Sequence, residues 1–484
     1  MLLVLDNFEH LVASAALLLT LLEHAPRLSI LVTSRVRLNV WAEHVFPLHG
    51  LPVPAEDNDA HIQGYSSVQL FIESAQRSVA GLALDEATLR AIGQICRHVQ
   101  GIPLGIELAA ALVDDLTPAE IKAEIEQNLD VLTSARVDLP ARHHSLRAAF
   151  DSSWRLLSED EGSLLAKLSV FGSTFTREAA LSVTGAAPAA LTALIHKSLL
   201  RRQPDGRYTL HALLRQFAAE RLTQHSAAAD VQREHAFLYL RFMARVEASL
   251  SGEKSVAILA EIQQELENVR QAWAWAIAHR LWQALDVGTN GLVRFLIISS
   301  RYEEGERLVT RAIEALTVYR RDVDSGADDV DLTRLLGALH AWRAFFLSTQ
   351  ARYDDAIAAA QDAIALGRSQ NFAPVIALGY LHWGGALWYA GEVTQAQPLV
   401  TQALALAQAD GLRRVEVDSL RLLGSIALRS GEHAEALRLH RQSLYIARKI
   451  EDRHRESQAL HRLGAVTRNQ GDFAQARTYV EESL

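Results

Sequence analysis

A mainly α-helical chain, with a partial α/β segment at its start and a helical solenoid at its end, is predicted from three observations. Gly384, Gly424 and Gly464 lie 40 residues apart, and so do Gly391, Gly431 and Gly471. Near the start, two short apolar β-type runs flank a helix-like stretch. Between these ends lie helical patterns broken by a single hairpin-like segment around Pro204-Asp205-Gly206.

The first run, Leu2–Leu5, ends in Asp6-Asn7, and an amphipathic helix is expected over about Phe8–His24. The second run, Ser29–Thr33, ends at Ser34-Arg35. Strand, helix and strand in this order predict part of a parallel sheet, whose ligands bind beyond the carboxyl ends of the strands. Asp6 and the Thr33-Ser34-Arg35 triplet fall there. A strand-end carboxylate suits Mg²⁺ or its water, and a guanidinium matches phosphate oxygens. A strand-end aspartate also serves simply to cap a helix.

In the middle region Pro103 reads as the first-turn proline of a buried helix, GIELAAALV. Ser158 followed by Glu161 has capping-box spacing. Leu199–Arg202 and Arg207–Leu210 read as a β-hairpin, and His211 sits where that hairpin gives way to a helix. His143-His144 reads as an exposed turn. Trp273 and Trp275 read as helix-packing residues.

In the repeats, the first glycine of each unit is expected where two helices cross closely, and the second where a turn needs positive φ. Glu392, Glu432 or Asp472 follows the second glycine, near the start of the next helix, where the helix dipole favours an acid. Ala396, Ala436 and Ala476 come five residues after that glycine, and Leu404, Leu444 and Leu484 thirteen after it. An earlier unit keeps the register as Ala351, Ala356 and Ile364, and residues 285–320 form a degenerate one. Asp322–Asp331 is expected to be a loop. A unit of this kind cannot bury its apolar face alone, so neighbours stack into a solenoid that presents a surface to a protein partner or inducer. Solenoids usually end in a polar capping helix. None follows Leu484, so this end is expected to be cut short.

Bulk properties narrow the class. The chain has 484 residues, a formal net charge of −9, and 49% hydrophobic and 22% charged residues. That balance is ordinary for a globular protein and argues against a coat for nucleic acid or anionic membrane. A single cysteine, Cys96, excludes an internal disulfide, and its apolar surroundings predict a small buried thiol. No run is long enough for a membrane span, and Asp6 interrupts the apolar start, which lacks the basic leader of a signal peptide. A cytoplasmic protein with no membrane partner is expected. No His/Cys/Asp/Glu group has metal-ligand spacing.

The wording of the segments adds a resemblance. LLVLDNFEHL, then LSILVTSRVRLNVWAEHVFPLHGLPVP, closely resembles the Walker B and sensor regions of STAND-class, NB-ARC-like ATPases found in bacterial transcriptional regulators. SSVQLFIESAQR and ICRHVQGIPLGIELAAALV resemble that family's helical subdomain. Residues 142–225 fit its winged helix, and Glu265–His279 resembles its helical linker. GEHAEALRLHRQSL and GDFAQARTYVEESL resemble tetratricopeptide (TPR) repeats, whose usual period is about 34. The resemblance implies a nucleotide-binding remnant over 1–52, a helical subdomain over 53–138, a winged helix over 139–228, a helical linker over 229–284 and TPR-like repeats over 285–484.

It also implies roles. Asp6 would hold Mg²⁺ indirectly as the Walker B carboxylate, the one catalytic position, with Thr33 and Arg35 near the γ-phosphate. Gly101 and Pro103 would lie by the adenine, in the family's Gly-x-Pro motif. His211 would touch the β-phosphate of ADP. The family's Met-His-Asp motif stands here as Leu210-His211-Ala212, so its carboxylate is replaced by alanine.

ADP or ATP with Mg²⁺ is the family's cofactor. No Gly-x-x-x-x-Gly-Lys-[Ser/Thr] loop occurs in the sequence. That loop cradles phosphate, so this chain alone is expected to bind nucleotide poorly and hydrolyse it negligibly. Because Met1 leads straight into an apolar strand, a fragment of a longer protein is expected; a remnant that has lost catalysis is the alternative.

The implied function is a signal-transducing regulator, an ADP/ATP switch with a TPR sensor arm. Self-association would follow ATP exchange, and DNA contact would come through a further domain. A nucleotide-independent interaction scaffold is the other reading. Arg201, Arg202 and Arg207 on the hairpin leave direct DNA contact open.

Overall fold

The computed structural model describes residues 1–57, 59, 61–78, 82–127, 131–132, 145–252, 255–322 and 330–483. It divides into two compact units, Met1–Glu234 and His235–Leu484. His143, His144 and Leu484 lie outside the described residues, as does most of the expected loop at 322–331. The chain is mainly α, with a partial α/β start, a winged helix and a TPR-like solenoid.

In the first unit β1 (Leu2–Leu5) runs parallel to β2 (Ser29–Val32), pairing Leu2 with Ser29 through Leu5 with Val32. Phe8, Ala15 and Leu18 bury against one sheet face, on Leu5, Ile30 and Val32. Leu2, Val4 and Leu31 stay exposed on the other. The α-helix between the strands covers only Ala16–His24, shorter than expected, and is preceded by 3-10 turns at Phe8–His10 and Val12–Ser14. The cause is local. Asn7 takes a left-handed φ of 55°, and the Phe8 N–H donates to the Thr33 carbonyl at 3.0 Å. Phe8 is thus tied to the strand end and its ring buried before a regular helix can begin.

Helices Ser66–Ser78, Glu86–His98, Pro103–Ala111 and Pro118–Gln127 follow, packed through fully buried Phe71, Ile92, Ile95, Ile106 and Ile121. Pro103 does occupy the first turn of its helix. Cys96 is buried, and burial pushes its thiol up to about 12.

Next come helices Leu146–Trp154, Glu159–Leu168, Arg177–Thr184, Pro188–His196 and Ala212–Thr223, with β3 (Arg201–Arg202) antiparallel to β4 (Tyr208–Thr209). The hairpin strands are shorter than predicted, and Tyr208 also bridges Phe175, on which it stacks. The Ser158 capping box forms: the Glu161 N–H donates to Ser158 Oγ at 3.2 Å, and the Ser158 N–H donates to Glu161 Oε2 at 2.8 Å.

In the second unit Ser255–Ala278, Trp282–Ile298 and Tyr302–Asp322 lead into four helical pairs. Trp273 is 1% exposed and its Nε1–H donates to the Leu308 carbonyl, a packing role as expected. The first helices of the pairs are Val330–Thr349, Ala373–Ala390, Arg413–Arg429 and Arg453–Asn469. The second helices are Tyr353–Ser369, Val393–Ala409, His433–Lys449 and Phe473–Ser483.

Gly391, Gly431 and Gly471 adopt φ of 94°, 81° and 83°, ending each first helix in the left-handed region. Ala351 holds the equivalent turn at φ 59° without glycine. The other three glycines mark the close crossings. A Cβ at Gly384 would lie 2.4 Å from Val400, one at Gly424 2.6 Å from the His440 ring, and one at Gly464 3.1 Å from Val480. Ala396 and Ala436 are fully buried, and Ala476 nearly so.

Candidate functional site

The parallel register of β1 and β2 places Asp6 and Thr33 side by side at the carboxyl ends of the two strands. Thr33 Oγ1 donates to Asp6 Oδ1 and accepts the Asn7 N–H at 3.1 Å. Asn7 Nδ2 donates to the other Asp6 oxygen at 3.2 Å. The carboxylate is oriented by both neighbours yet exposed to solvent. Arg35 takes a different set of partners: Nη1 donates to Ser153 Oγ at 2.7 Å, and Nε lies 3.8 Å from buried Glu9.

Beyond Arg35 the chain is pinned along its length to the rest of the first unit. The Arg37 N–H donates to the His196 carbonyl at 3.1 Å. Arg201 Nη2 donates to His49 Nδ1 at 2.8 Å. The Leu51 N–H donates to the Gly101 carbonyl at 2.8 Å.

At that last contact two backbones meet directly. Gly101 has φ 69°, and a Cβ there would lie 2.1 Å from the Leu51 carbonyl oxygen. A Cβ on Gly50 would come equally close to the Gln100 carbonyl. The glycine of the Gly-x-Pro turn is therefore demanded by backbone packing as well as by φ.

His211 is the N-cap of helix Ala212–Thr223. Its Nδ1 accepts the Leu213 N–H at 3.2 Å. An accepting Nδ1 leaves the proton of the neutral ring on Nε2. Burial pushes the His211 pKa down to about 4. The nearby Val99 carbonyl opposes this, and Arg201 and His98 add to it. Nε2 is buried, and the Val99 carbonyl is the acceptor beside it. The ring is thus a neutral donor with a fixed tautomer, on a helix N-terminus that favours anions.

Two of the three hairpin arginines are already engaged. Arg201 holds His49, while Arg207 is 8% exposed and donates to Thr174 Oγ1 and its carbonyl. Arg202 remains exposed. Among the described residues no group of three His, Cys, Asp or Glu side chains could hold a metal ion. Among them, too, no single helix is long and apolar enough to cross a membrane.

Comparison with known proteins decides the domain types. Residues 157–223 match a winged helix-turn-helix domain, and residues 416–484 match the tetratricopeptide repeat. The chain joins a winged helix to TPR repeats. It is 28% identical over 421 residues to a Mycobacterium tuberculosis protein named as an HTH-type transcriptional regulator, covering 84% of this chain and 46% of that one. Another M. tuberculosis protein, uncharacterized, is 36% identical over 183 residues, covering 38% of this chain and 44% of that protein. The chain thus spans about half the length of the curated relatives it matches. Among solved structures, a STAND protein with a tetratricopeptide repeat sensor from Pyrococcus horikoshii aligns with all of this chain and 67% of its own, at 16% identity and a TM-score of 0.40. The domain matches and the named relatives bear out the resemblance read from the winged-helix and TPR segments.

Glu9, Ser153 and His49 were not singled out by sequence, and Arg201 was read there only as a DNA-contact candidate. The Arg35–Ser153 and His49–Arg201 pairs join residues 118 and 152 positions apart and carry no local signature.

Proposed function

We propose that this chain is the clamp and sensor of a nucleotide-dependent switch that regulates transcription, within a longer cytoplasmic protein. The observation that carries the reading is His211: buried, neutral, fixed in tautomer, at a helix N-terminus, with its donor N–H beside the Val99 carbonyl. A phosphate oxygen is the kind of acceptor such a group suits. Asp6, exposed and oriented by Thr33 and Asn7, suits a hydrated Mg²⁺.

In this reading His211 would donate to a phosphate oxygen and Asp6 would hold the hydrated Mg²⁺. A bound nucleotide would supply negative charge for these groups to meet. The chain supplies one donor from the winged helix and one carboxylate from the strand end, and the Gly50–Leu51 and Gly101 backbones hold the intervening segment in place. ADP would favour the pinned arrangement of residues 35–51. ATP exchange would favour its release, a two-state equilibrium biased by differential binding. The TPR repeats would bias the same equilibrium by binding a protein partner or inducer, and self-association would follow release. Output to DNA would pass through a further domain, since Arg201 is occupied by His49 and Arg207 by Thr174.

The test is the nucleotide content of the longer protein encoded by the gene. Purified without added nucleotide, denatured and chromatographed, it should release about one ADP per chain. Release of none would favour the nucleotide-independent scaffold.

A further inference from the structure

The second unit contains a cavity of about 550 Å³ walled by the first helices of successive pairs, by helix Trp282–Ile298 and by Glu247 and Ser251. That size falls within the range of about 300–1,000 Å³ typical of small-molecule sites. The 40-residue period brings equivalent positions to one wall: Trp342, His382, Leu422 and Arg462 all line it. The glycines and alanines that build the solenoid repeat from unit to unit, whereas this column changes its chemistry at every step. That is the pattern of a scaffold carrying a specific site.

Six arginines face the cavity: Arg294, Arg413, Arg414, Arg421, Arg455 and Arg462. Four have close carboxylates. Arg413 pairs with Glu416 at 2.8 Å, Arg414 with Glu247 at 2.7 Å, Arg455 with Asp418 at 2.8 Å and Asp452 at 2.9 Å, and Arg294 with Asp452 at 3.4 Å. Among the described residues Arg421 has only Asp418, at 3.9 Å, already claimed by Arg455. Among the described residues no carboxylate lies within 4 Å of Arg462, whose pKa is lowered by burial and by the charge of Arg421.

Among the described residues, three donors lining the same cavity are buried and unpaired, Arg421 Nε, Trp342 Nε1 and Trp388 Nε1, as is the ring nitrogen His382 Nε2. His382 is more than nine-tenths buried and sits against the Trp342 and Phe345 rings. Burial holds it neutral, pushed down to about 4, so the surplus positive charge belongs to the arginines. Buried donors without acceptors are unfavourable unless a ligand completes them.

We propose that this cavity binds a small amphipathic organic acid, its apolar body on the Trp342, Phe345 and Trp388 rings and its carboxylate on Arg421 and Arg462. Aromatic walls with a few convergent polar groups are the usual make-up of such sites, and paired guanidinium groups match a carboxylate in geometry as well as charge. This deepens the sensor reading of the repeats. Its test needs no nucleotide, so failure of the ADP switch would leave it standing.

The probe is 2-naphthylacetate, titrated into the full chain and followed by tryptophan fluorescence, with 2-naphthylacetamide as the neutral isostere. The acid should bind saturably and at least about tenfold more tightly than the amide. Arg421→Gln or Arg462→Gln should weaken acid binding by about tenfold and leave amide binding unchanged, which also shows that the cavity is intact. Equal affinity for acid and amide, no saturable binding by either, or variants that bind the acid like the parent would overturn the proposal.

Discussion

Replacing Arg455 with leucine should lower the stability of the repeat unit by about 3–5 kcal/mol, the usual cost of removing one partner from a buried ion pair. Arg455 bridges Asp418 and Asp452, and Asp452 is 1% exposed. The two carboxylates raise the Arg455 pKa against the opposing effect of burial, and Arg455 heads the causes that hold Asp418 low against its own burial. Without the guanidinium, Asp452 keeps only Arg294 at 3.4 Å and Arg414 at 3.8 Å. Asp452 is also the N-cap of helix Arg453–Asn469, accepting the Arg455 N–H at 3.2 Å. Asparagine caps as well as aspartate does, so adding Asp452→Asn to Arg455→Leu should recover part of the loss. Urea unfolding of the three proteins measures this. A loss below about 1 kcal/mol for the single variant would show that the network is solvated.

The second large effect concerns pH. His235 and His382 are held at about 4 and His440 at about 3, each chiefly by burial. Asn268 pulls His235 upward, Asp418 pulls His382 upward, and Arg462 and Arg421 push His440 further down. Their ordinary value is 6.5, so as pH falls the unfolded chain takes up these protons first. The stability they contribute is fully present above about pH 6.5 and is lost as the pH falls towards their folded values. Each histidine contributes about 1.4 kcal/mol per pH unit over that interval. The chain should therefore be much less stable at pH 5 than at pH 7.5, well before the bulk of its carboxylates are protonated. Thermal melts across this range measure the slope, and histidine ring resonances of the folded chain assign it. Ring signals titrating near 6.5 for all three residues would remove the cause.

The sequence announced the solenoid because its physics is local and repeated. A left-handed turn needs glycine, a close crossing needs glycine or alanine, and both recur at one spacing. Ala351 shows the limit of that signal, since it holds a left-handed turn that no glycine marks. The strand–helix–strand order and the Ser158 capping box were legible for the same reason. The start of the first helix was not, because the Phe8–Thr33 hydrogen bond that delays it depends on a strand 25 residues away. His211 could be placed at a helix start from sequence. Its burial could not, since that arises from packing against distant segments that bring the Val99 carbonyl, Arg201 and His98 close to the ring. The arginine-rich cavity was hidden for a further reason: its residues occupy equivalent repeat positions but differ in type, so self-comparison passes over them.

The proposed nucleotide switch is tested most directly by the calorimetric affinity for ADP with Mg²⁺ of this chain joined to a phosphate-loop segment, compared between the parent and His211→Ala after bound nucleotide is removed. Loss of the His211 donor should weaken ADP binding by about tenfold or more, in line with a hydrogen bond to a charged group. Equal affinities in the two proteins would contradict the role given to His211, and with it the clamp.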